Sequence, residues 1–352
     1  MKKMTPRQRV LAALHKEPTD QVPFTIYESK IPQCAVERRL RNEGLCIVHR
    51  HVHALASSAP NCIWRDYTYT ENGRRRIRTE IETPAGTLSS VAEPAGFTSW
   101  TIEHLFKGPE DYRSLLAMTE DTQYRPNYDA FAAAEKWMGE DIIMRGGVGG
   151  QPLHTIMIHW MGLEVFAVEW MERRDEILKL VDAMNRELRQ VFPLVAAAPI
   201  THANFGGNEV PEVMGPKRYR EFCLPLIEEC AEHFHRHGKL LGSHMDGNNK
   251  PWAPDLASSG LDYIEAFTPS PDTDLTLAEA LAAWPDKVLW ANFPSSVHLA
   301  SLETIRRTTR ELIEAARGTH RLILGITEDI PEDRWQGNLL AISEVIQEMG
   351  PG

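Results

Sequence analysis

The stretch that decides the fold begins with Lys239-Leu-Leu-Gly-Ser-His-Met-Asp-Gly-Asn248. From here to the C-terminus, short apolar segments alternate with longer segments of helical periodicity. Strands are predicted at 239–244, 261–267, 287–292 and 320–326, and helices near 250–259, 275–284, 301–317 and 333–349. Successive strand–helix units force the strands to run parallel, because each crossover helix returns the chain to the same end of the sheet. The stretch therefore predicts an α/β fold.

The same alternation extends upstream to about residue 140. Asp141-Ile-Ile-Met-Arg145 and the apolar segment 194–200 are predicted as strands, and 216–237 as a helix. The part before residue 135 is less regular and includes a predicted β-hairpin at 78–91. We expect a single domain over residues 1–352. It is a (β/α)8 TIM barrel with an elaborated N-terminal segment of about residues 1–135, and a doubly wound sheet is the alternative.

Composition narrows the classes of function. The chain has 352 residues, of which 42% are hydrophobic and 25% charged, and its formal net charge is -11. That balance argues against a nucleic-acid binder, which carries a clustered basic face. The five cysteines form no CxxC pair, and no apolar run is long enough to span a membrane, so a cytoplasmic protein is expected.

Polar residues collect at the predicted strand ends, where the chemistry of a barrel is located. They are His202, Asn204, Asn208, Glu209, His244, Asp246, Glu265, Asn292, Thr327, Glu328 and Asp329. His244 and Asp246 are two positions apart, so along an extended strand both point to the same side. Imidazole and carboxylate both bind zinc, although a hydrogen-bonded turn at the strand end would give the same spacing.

Aromatic residues accompany these strand ends, and their role stays open at this point. Trp252, Phe267, Trp290 and Phe293 lie at or just after predicted strands. They would line a pocket that accepts a ring, or they would fill the barrel core.

Several segments resemble the uroporphyrinogen decarboxylase superfamily, which has a (β/α)8 barrel fold. They are Met4-Thr-Pro-Arg-Gln-Arg-Val-Leu-Ala-Ala-Leu14 with Asp20-Gln-Val-Pro-Phe24, Met214-Gly-Pro-Lys-Arg-Tyr-Arg-Glu-Phe222, the strand that ends in His244, and Leu322-Ile-Leu-Gly-Ile-Thr-Glu-Asp-Ile-Pro331. True decarboxylases of this family hold substrate carboxylates with an arginine-containing N-terminal segment. The corresponding residues here, Phe-Thr-Ile-Tyr-Glu-Ser-Lys after Pro23, do not match it.

The chain also resembles the cobalamin-dependent methyltransferase branch, in which a His-x-Cys pair and a distant cysteine hold zinc. His244 stands at the histidine position, Asp246 at the first cysteine position and Glu328 at the distant one. The resemblance implies a zinc site formed by these three residues. Two carboxylates in place of thiolates would make the ion harder and more Lewis-acidic, which suits an ether oxygen.

The function implied by the resemblance is O-demethylation. A methyl group would pass from a small methoxylated compound, expected to be aromatic, to cobalamin carried by a separate corrinoid protein. Glu265 and Asn208 are candidates for substrate contact or a further ligand, and Glu209 for a proton relay. The oligomeric state stays open, with a homodimer as one option. The alternatives are a metal-free decarboxylase, a methyltransferase acting on methylated thiols or amines, and a barrel that only binds a partner.

Overall fold

The computed structural model describes residues 3–96 and 98–350. The strands in chain order are β1 (Phe24–Tyr27), β2 (Leu45–His49), β3 (Leu55–Ser58), β4 (Ile63–Glu71), β5 (Arg74–Thr83), β6 (Gly86–Ala95), β7 (Thr98–Glu103), β8 (Gln123–Pro126), β9 (Ile142–Met144), β10 (Gly146–Gly149), β11 (His202–Phe205), β12 (Leu240–His244), β13 (Tyr263–Phe267), β14 (Val288–Asn292) and β15 (Leu322–Ile326).

The α-helices are α1 (Pro6–Leu14), α2 (Ala35–Glu43), α3 (Asp111–Asp121), α4 (Tyr128–Trp137), α5 (Pro152–His154), α6 (Leu163–Glu172), α7 (Arg174–Ala197), α8 (Pro216–Arg218), α9 (Leu224–Arg236), α10 (Ala253–Ser258), α11 (Leu277–Ala283), α12 (Leu302–Ala316) and α13 (Trp335–Met349). None of the helices in the described part of the chain is both long enough and apolar enough to cross a membrane.

Nine of the strands form one sheet that curls into a barrel. Its order is β10-β11-β12-β13-β14-β15-β1-β2-β9. In this order, each strand from β11 to β9 runs parallel to the next one. Only Arg145 separates β9 from β10, so these two short pieces occupy one position in the ring, and nine strands fill eight positions. The predicted (β/α)8 barrel is confirmed.

The regular C-terminal half follows the sequence closely, because its helices carry their own start signals. Thr276 caps α11 and forms a capping box with Glu279, and Ser301 caps α12. Strands β13, β14 and β15 are buried along their whole length, as expected for parallel strands covered by helices.

The predicted strand at 194–200 is wrong. Helix α7 continues to Ala197 through Pro193, and β11 begins only at His202. A short apolar run does not distinguish a buried helical turn from a strand, and the alanines here favour helix. As a consequence, His202 begins its strand instead of following one.

The chain separates into two compact units. One comprises the residues up to Ala54, Asn127–Val148 and the residues from Val195 onward, and it contains the barrel. The other comprises Leu55–Pro126 and Gly149–Leu194. Its strands form an antiparallel sheet in the order β4-β5-β6-β7 and a two-stranded pair of β3 with β8. The hairpin predicted at 78–91 is the β5–β6 pair, with Thr83 opposite Gly86 at its turn.

The aromatic residues near the strand ends belong to the core. Trp252, Phe267, Trp290 and Phe293 are all buried. The indole N–H of Trp290 donates to Thr25 Oγ1 at 2.8 Å, which satisfies its one polar group inside the barrel. Of the two interpretations, barrel core is the one that these contacts support.

Candidate functional site

A buried carboxylate, Glu265, lies at the centre of a polar cluster inside the barrel. It belongs to β13, has no solvent exposure and lies opposite His244 of β12 in the strand register. Oε1 accepts hydrogen bonds from the Tyr27 hydroxyl at 2.8 Å and from Arg145. Oε2 accepts one from Asn204 Nδ2 at 2.6 Å and lies 3.0 Å from His244 Nδ1. Four other positions of the barrel thus converge on one side chain.

The partners of Glu265 require it to be ionised. Tyr27, Arg145 and Asn204 all donate, and a protonated carboxyl group would turn a donor toward one of them. Burial alone would favour the neutral form, but the charge of Arg145 and the hydrogen bond from His244 hold the pKa of Glu265 well below its usual range. Arg145 supplies that charge from the break between β9 and β10.

The orientation of His244 follows from the same contacts. Its Nδ1 lies 3.0 Å from Glu265 Oε2 and 3.2 Å from the Tyr27 oxygen, whose single proton goes to Glu265. Nδ1 therefore faces two acceptors and carries a proton. Burial would lower the pKa of His244, but the hydrogen bond and charge of Glu265 outweigh it and raise that pKa. In the neutral ring, Nε2 carries the lone pair.

Asp246 is the group that this lone pair faces. Its Oδ2 lies 3.8 Å from His244 Nε2, too far for a hydrogen bond but short enough for both atoms to bind one cation. Its Oδ1 is buried and has no hydrogen-bond partner among the described residues. A buried carboxylate oxygen of this kind is costly unless a cation or proton compensates it. The donor set of His244 and Asp246 therefore fits a metal ion.

Glu328, the third predicted ligand, is more exposed than this pair. It is exposed, two positions beyond the end of β15. Within residues 3–96 and 98–350, no group of three or more His, Cys, Asp or Glu side chains is arranged to hold a metal ion. The role of Glu328 as the third ligand stays a prediction.

The segment after β11 approaches His244 through its backbone. A Cβ atom at Gly207 would lie 3.1 Å from the Cβ of His244, and its φ is +148°, so glycine is needed here. Asn208 adopts a left-handed φ of +63° and donates its backbone N–H to His244 O at 3.0 Å, while its side chain is exposed. Substrate contact by Asn208 stays a prediction.

Glu209 is the second buried carboxyl group near the cluster. It is 1% exposed, and its Oε2 accepts the Gly207 N–H at 2.9 Å. Burial raises the pKa of Glu209 to about 7, although the backbone hydrogen bond opposes the shift. A carboxyl group with that pKa can take up or release a proton near neutral pH, as the predicted proton relay requires.

A model of the uroporphyrinogen decarboxylase (URO-D) family matches residues 101–349, which is more than half of the chain. The protein belongs to the URO-D family. No curated protein matches it in sequence.

Solved structures of other proteins are similar to this URO-D family protein to different degrees. A methyltransferase from Methanosarcina mazei superposes with a TM-score of 0.59 and 14% identity, covering 99% of both chains. A protein assigned as a vitamin-B12-independent methionine synthase from Listeria monocytogenes gives 0.36 and 11%, covering 70% of this chain and 71% of that one. A glycoside hydrolase family 5 enzyme from Prevotella bryantii gives 0.37 and 11%, with coverages of 64% and 77%.

Two tyrosines of this URO-D family site were not predicted as functional. Tyr27 is the last residue of β1, and its position at the end of the short, mainly apolar segment 22–27 was the available signal. Tyr263 donates its hydroxyl to Asn204 Oδ1 at 2.7 Å, which turns the amide of Asn204 toward Glu265. The ring of Tyr263 occupies the space where a side chain at Gly242 would begin, and no local pattern in the sequence signals that contact.

The remaining predicted strand-end residues of the URO-D barrel have structural contacts. His202 is fully buried, with its ring beside those of Tyr263 and Trp290. Asn292 Oδ1 accepts the backbone N–H of Thr327 at 2.9 Å. Asp329 forms an ion pair with Lys30 at 3.0 Å.

Proposed function

We propose that this URO-D family protein is a zinc-dependent methyltransferase. It moves a methyl group from a small methoxylated aromatic compound to the cobalamin of a separate corrinoid protein. The observation that carries the proposal is the contact of Glu265 with His244 Nδ1, which leaves Nε2 facing Asp246. Histidines that bind metals in proteins usually donate their other ring N–H to a carboxylate or carbonyl in this way.

His244 and Asp246 would hold the metal, with Glu328 as the third ligand. When bound, zinc would supply a Lewis acid for the ether oxygen of the methoxy group. We assign Glu265 to positioning and not to the ligand set, because both of its oxygens already accept hydrogen bonds from side chains of the barrel. Its fixed charge also increases the basicity of the imidazole.

Glu209 would act on the product. Loss of a methyl cation equivalent leaves a phenolate, which must take up one proton before it leaves as a phenol. A buried carboxyl group with a pKa of about 7 can deliver that proton at neutral pH. The name of the Methanosarcina mazei protein, a methyltransferase of the same fold, supports methyl transfer as the reaction type.

A metal-free decarboxylase is the second candidate, and the family to which the chain belongs favours it. Such an enzyme needs cationic side chains that are available to substrate carboxylates. Arg145, the arginine nearest a predicted strand end, donates instead to Glu265 and Tyr27, so its charge is already compensated inside the protein. This contact favours the methyltransferase.

The activity test uses purified protein with zinc and a reduced corrinoid protein. Methoxybenzoates, methylated amines, methylated thiols and porphyrinogen carboxylates are supplied in turn, and corrinoid methylation is followed by its absorbance change. We expect methylation with a methoxybenzoate and release of the matching phenol. Methylation with amines or thiols alone would move the assignment to that substrate class, and carbon dioxide release without methylation would establish the decarboxylase.

A further inference from the structure

Strand β4 is an edge strand with an unusual surface. Within the described part of the chain it pairs only with β5, and all nine of its residues are exposed. Among them are large side chains that proteins normally cover, including Trp64 at 48% exposure, Tyr67 at 46% and Tyr69 at 38%. A long exposed edge is a template for pairing with another strand, and the charges on this one, Arg65, Asp66 and Glu71, restrict the partner to a strand with complementary charges. β4 pairs with β5 in unbroken register along its whole length, without a bulge.

The order of residues in β4 is complementary to itself. Residues 65–71 read Arg-Asp-Tyr-Thr-Tyr-Thr-Glu. If two copies of the strand run antiparallel with Thr68 facing Thr68, then opposite charges, aromatic rings and the two Thr68 side chains are directly opposed, and pairs of these kinds are favourable. The pairs are Arg65 with Glu71, Asp66 with Thr70, Tyr67 with Tyr69, and Thr68 with itself.

Neighbouring registers lack this complementarity. A shift that centres the pair on Asp66 would oppose two carboxylates, and one centred on Tyr67 would place Glu71 against the apolar Ile63. Only the Thr68-centred arrangement combines opposite charges with aromatic pairs on one face of the sheet. Arg65 already contacts Glu82 at 2.6 Å, but a guanidinium has five donors and can bind a second carboxylate.

We propose that β4 is an interface with a second copy of this chain, in which the two β4 strands pair antiparallel about a twofold axis at Thr68. The two four-stranded sheets would join into one of eight strands. We take the occupant to be a second copy of this chain because the charges and aromatic rings of β4 complement themselves. An unrelated partner would not require β4 to be self-complementary. The interface is isologous and closes at two copies.

The first test is sedimentation velocity of the full chain over a range of concentrations. The wild-type protein is expected to form dimers as its concentration rises. Arg65→Glu is expected to weaken dimerisation by about tenfold, because two opposite-charge pairs become two like-charge pairs. The double variant Arg65→Glu, Glu71→Arg restores opposite charges and is expected to recover the wild-type affinity. Arg75→Glu, an equal charge change on the inner strand β5, controls for net charge and should leave dimerisation unchanged.

The second test fixes the register by cross-linking. Thr68→Cys places two thiols directly opposite each other, and oxidation is expected to give a covalent dimer. Thr70→Cys places them far apart and serves as the matched control, with the wild-type protein showing the background from its own cysteines. The proposal is overturned by a wild-type monomer at every concentration, by failure of the charge swap to restore dimers, or by equal cross-linking of both cysteine variants. Pairing of β4 only with an added corrinoid protein would likewise overturn it.

Discussion

His244 Nδ1 lies 3.0 Å from Oε2 of Glu265, and the other groups that contact this carboxylate are hydrogen-bond donors from Tyr27, Arg145 and Asn204. An ionised carboxylate is the one form of this side chain that accepts from all of them. The arrangement fixes the proton of the neutral imidazole on Nδ1 and turns Nε2 toward Asp246. The proposed metal site therefore depends on a residue that would not touch the metal.

Glu265→Gln is expected to weaken zinc binding by about 10- to 100-fold, as loss of an outer-shell carboxylate usually does. The side-chain NH2 that this substitution introduces must face either His244 and Asn204 or Tyr27 and Arg145. All four of these side chains donate to Glu265 in the wild-type protein, so donors would then face donors. Zinc affinity is measured by competition with a chromogenic chelator. It is expressed per folded protein, because Arg145 also loses its buried partner.

Glu169→Gln is the matched control for that experiment. Glu169 is a buried carboxylate that accepts a tyrosine hydroxyl, from Tyr112 at 2.7 Å, and pairs with an arginine, Arg173. Its replacement should lower stability without changing zinc affinity. Equal zinc affinities for the two variants would show that Glu265 does not position His244.

Gly242→Ala is expected to destabilise the barrel by about 1–3 kcal/mol, the usual range for overpacking a core. The new Cβ atom would overlap the ring of Tyr263, which holds Asn204 toward Glu265. Gly147→Ala, where no atom lies within 4 Å of the added Cβ, should have little effect. Urea unfolding of both variants measures the difference, and equal midpoints would contradict the packing argument.

The free energy of unfolding should decrease as the pH is lowered from about 6.5 to about 4. Burial lowers the pKa of His298 to about 4, whereas the unfolded chain binds that proton near the ordinary value of 6.5. Stability from the neutral ring is therefore complete above pH 6.5 and is lost below it, because the unfolded state takes up the proton first. Urea unfolding at a series of pH values gives the free energy of unfolding as a function of pH. Between about pH 4 and 6.5 this free energy should change less steeply with pH for His298→Gln than for the wild-type protein. If the two proteins show the same change with pH, His298 is excluded as a source of the pH dependence of stability.

The C-terminal half of the barrel was predictable because its signals are local. The predicted strand at 239–244 corresponds to β12, Leu240–His244, since apolar runs and helix caps recur there at regular intervals. The positions of His244 at the end of this strand and of Asp246 two residues after it followed from this regularity. Residues 194–200 depart from this regularity, because their apolar side chains continue α7 instead of forming a strand.

The contacts that organise the site were not predictable from local patterns. Arg145 reaches Tyr27 across 118 positions of the chain, and Tyr27 reaches Glu265 across 238. The strand that carries Arg145 is broken into pieces of three and four residues, too short for any periodicity. These contacts form only when the barrel closes, so they leave no local pattern in a single sequence.

The most direct test of the proposed site is the zinc content of the purified protein and its variants. We expect about one zinc per chain in the wild-type protein, in keeping with a single catalytic site. His244→Ala and Glu328→Ala should lose it, together with methyl transfer from a methoxybenzoate. Asp329→Ala, which removes the neighbouring carboxylate that pairs with Lys30, is the matched control and should retain both. Full zinc occupancy in both His244→Ala and Glu328→Ala would contradict the account.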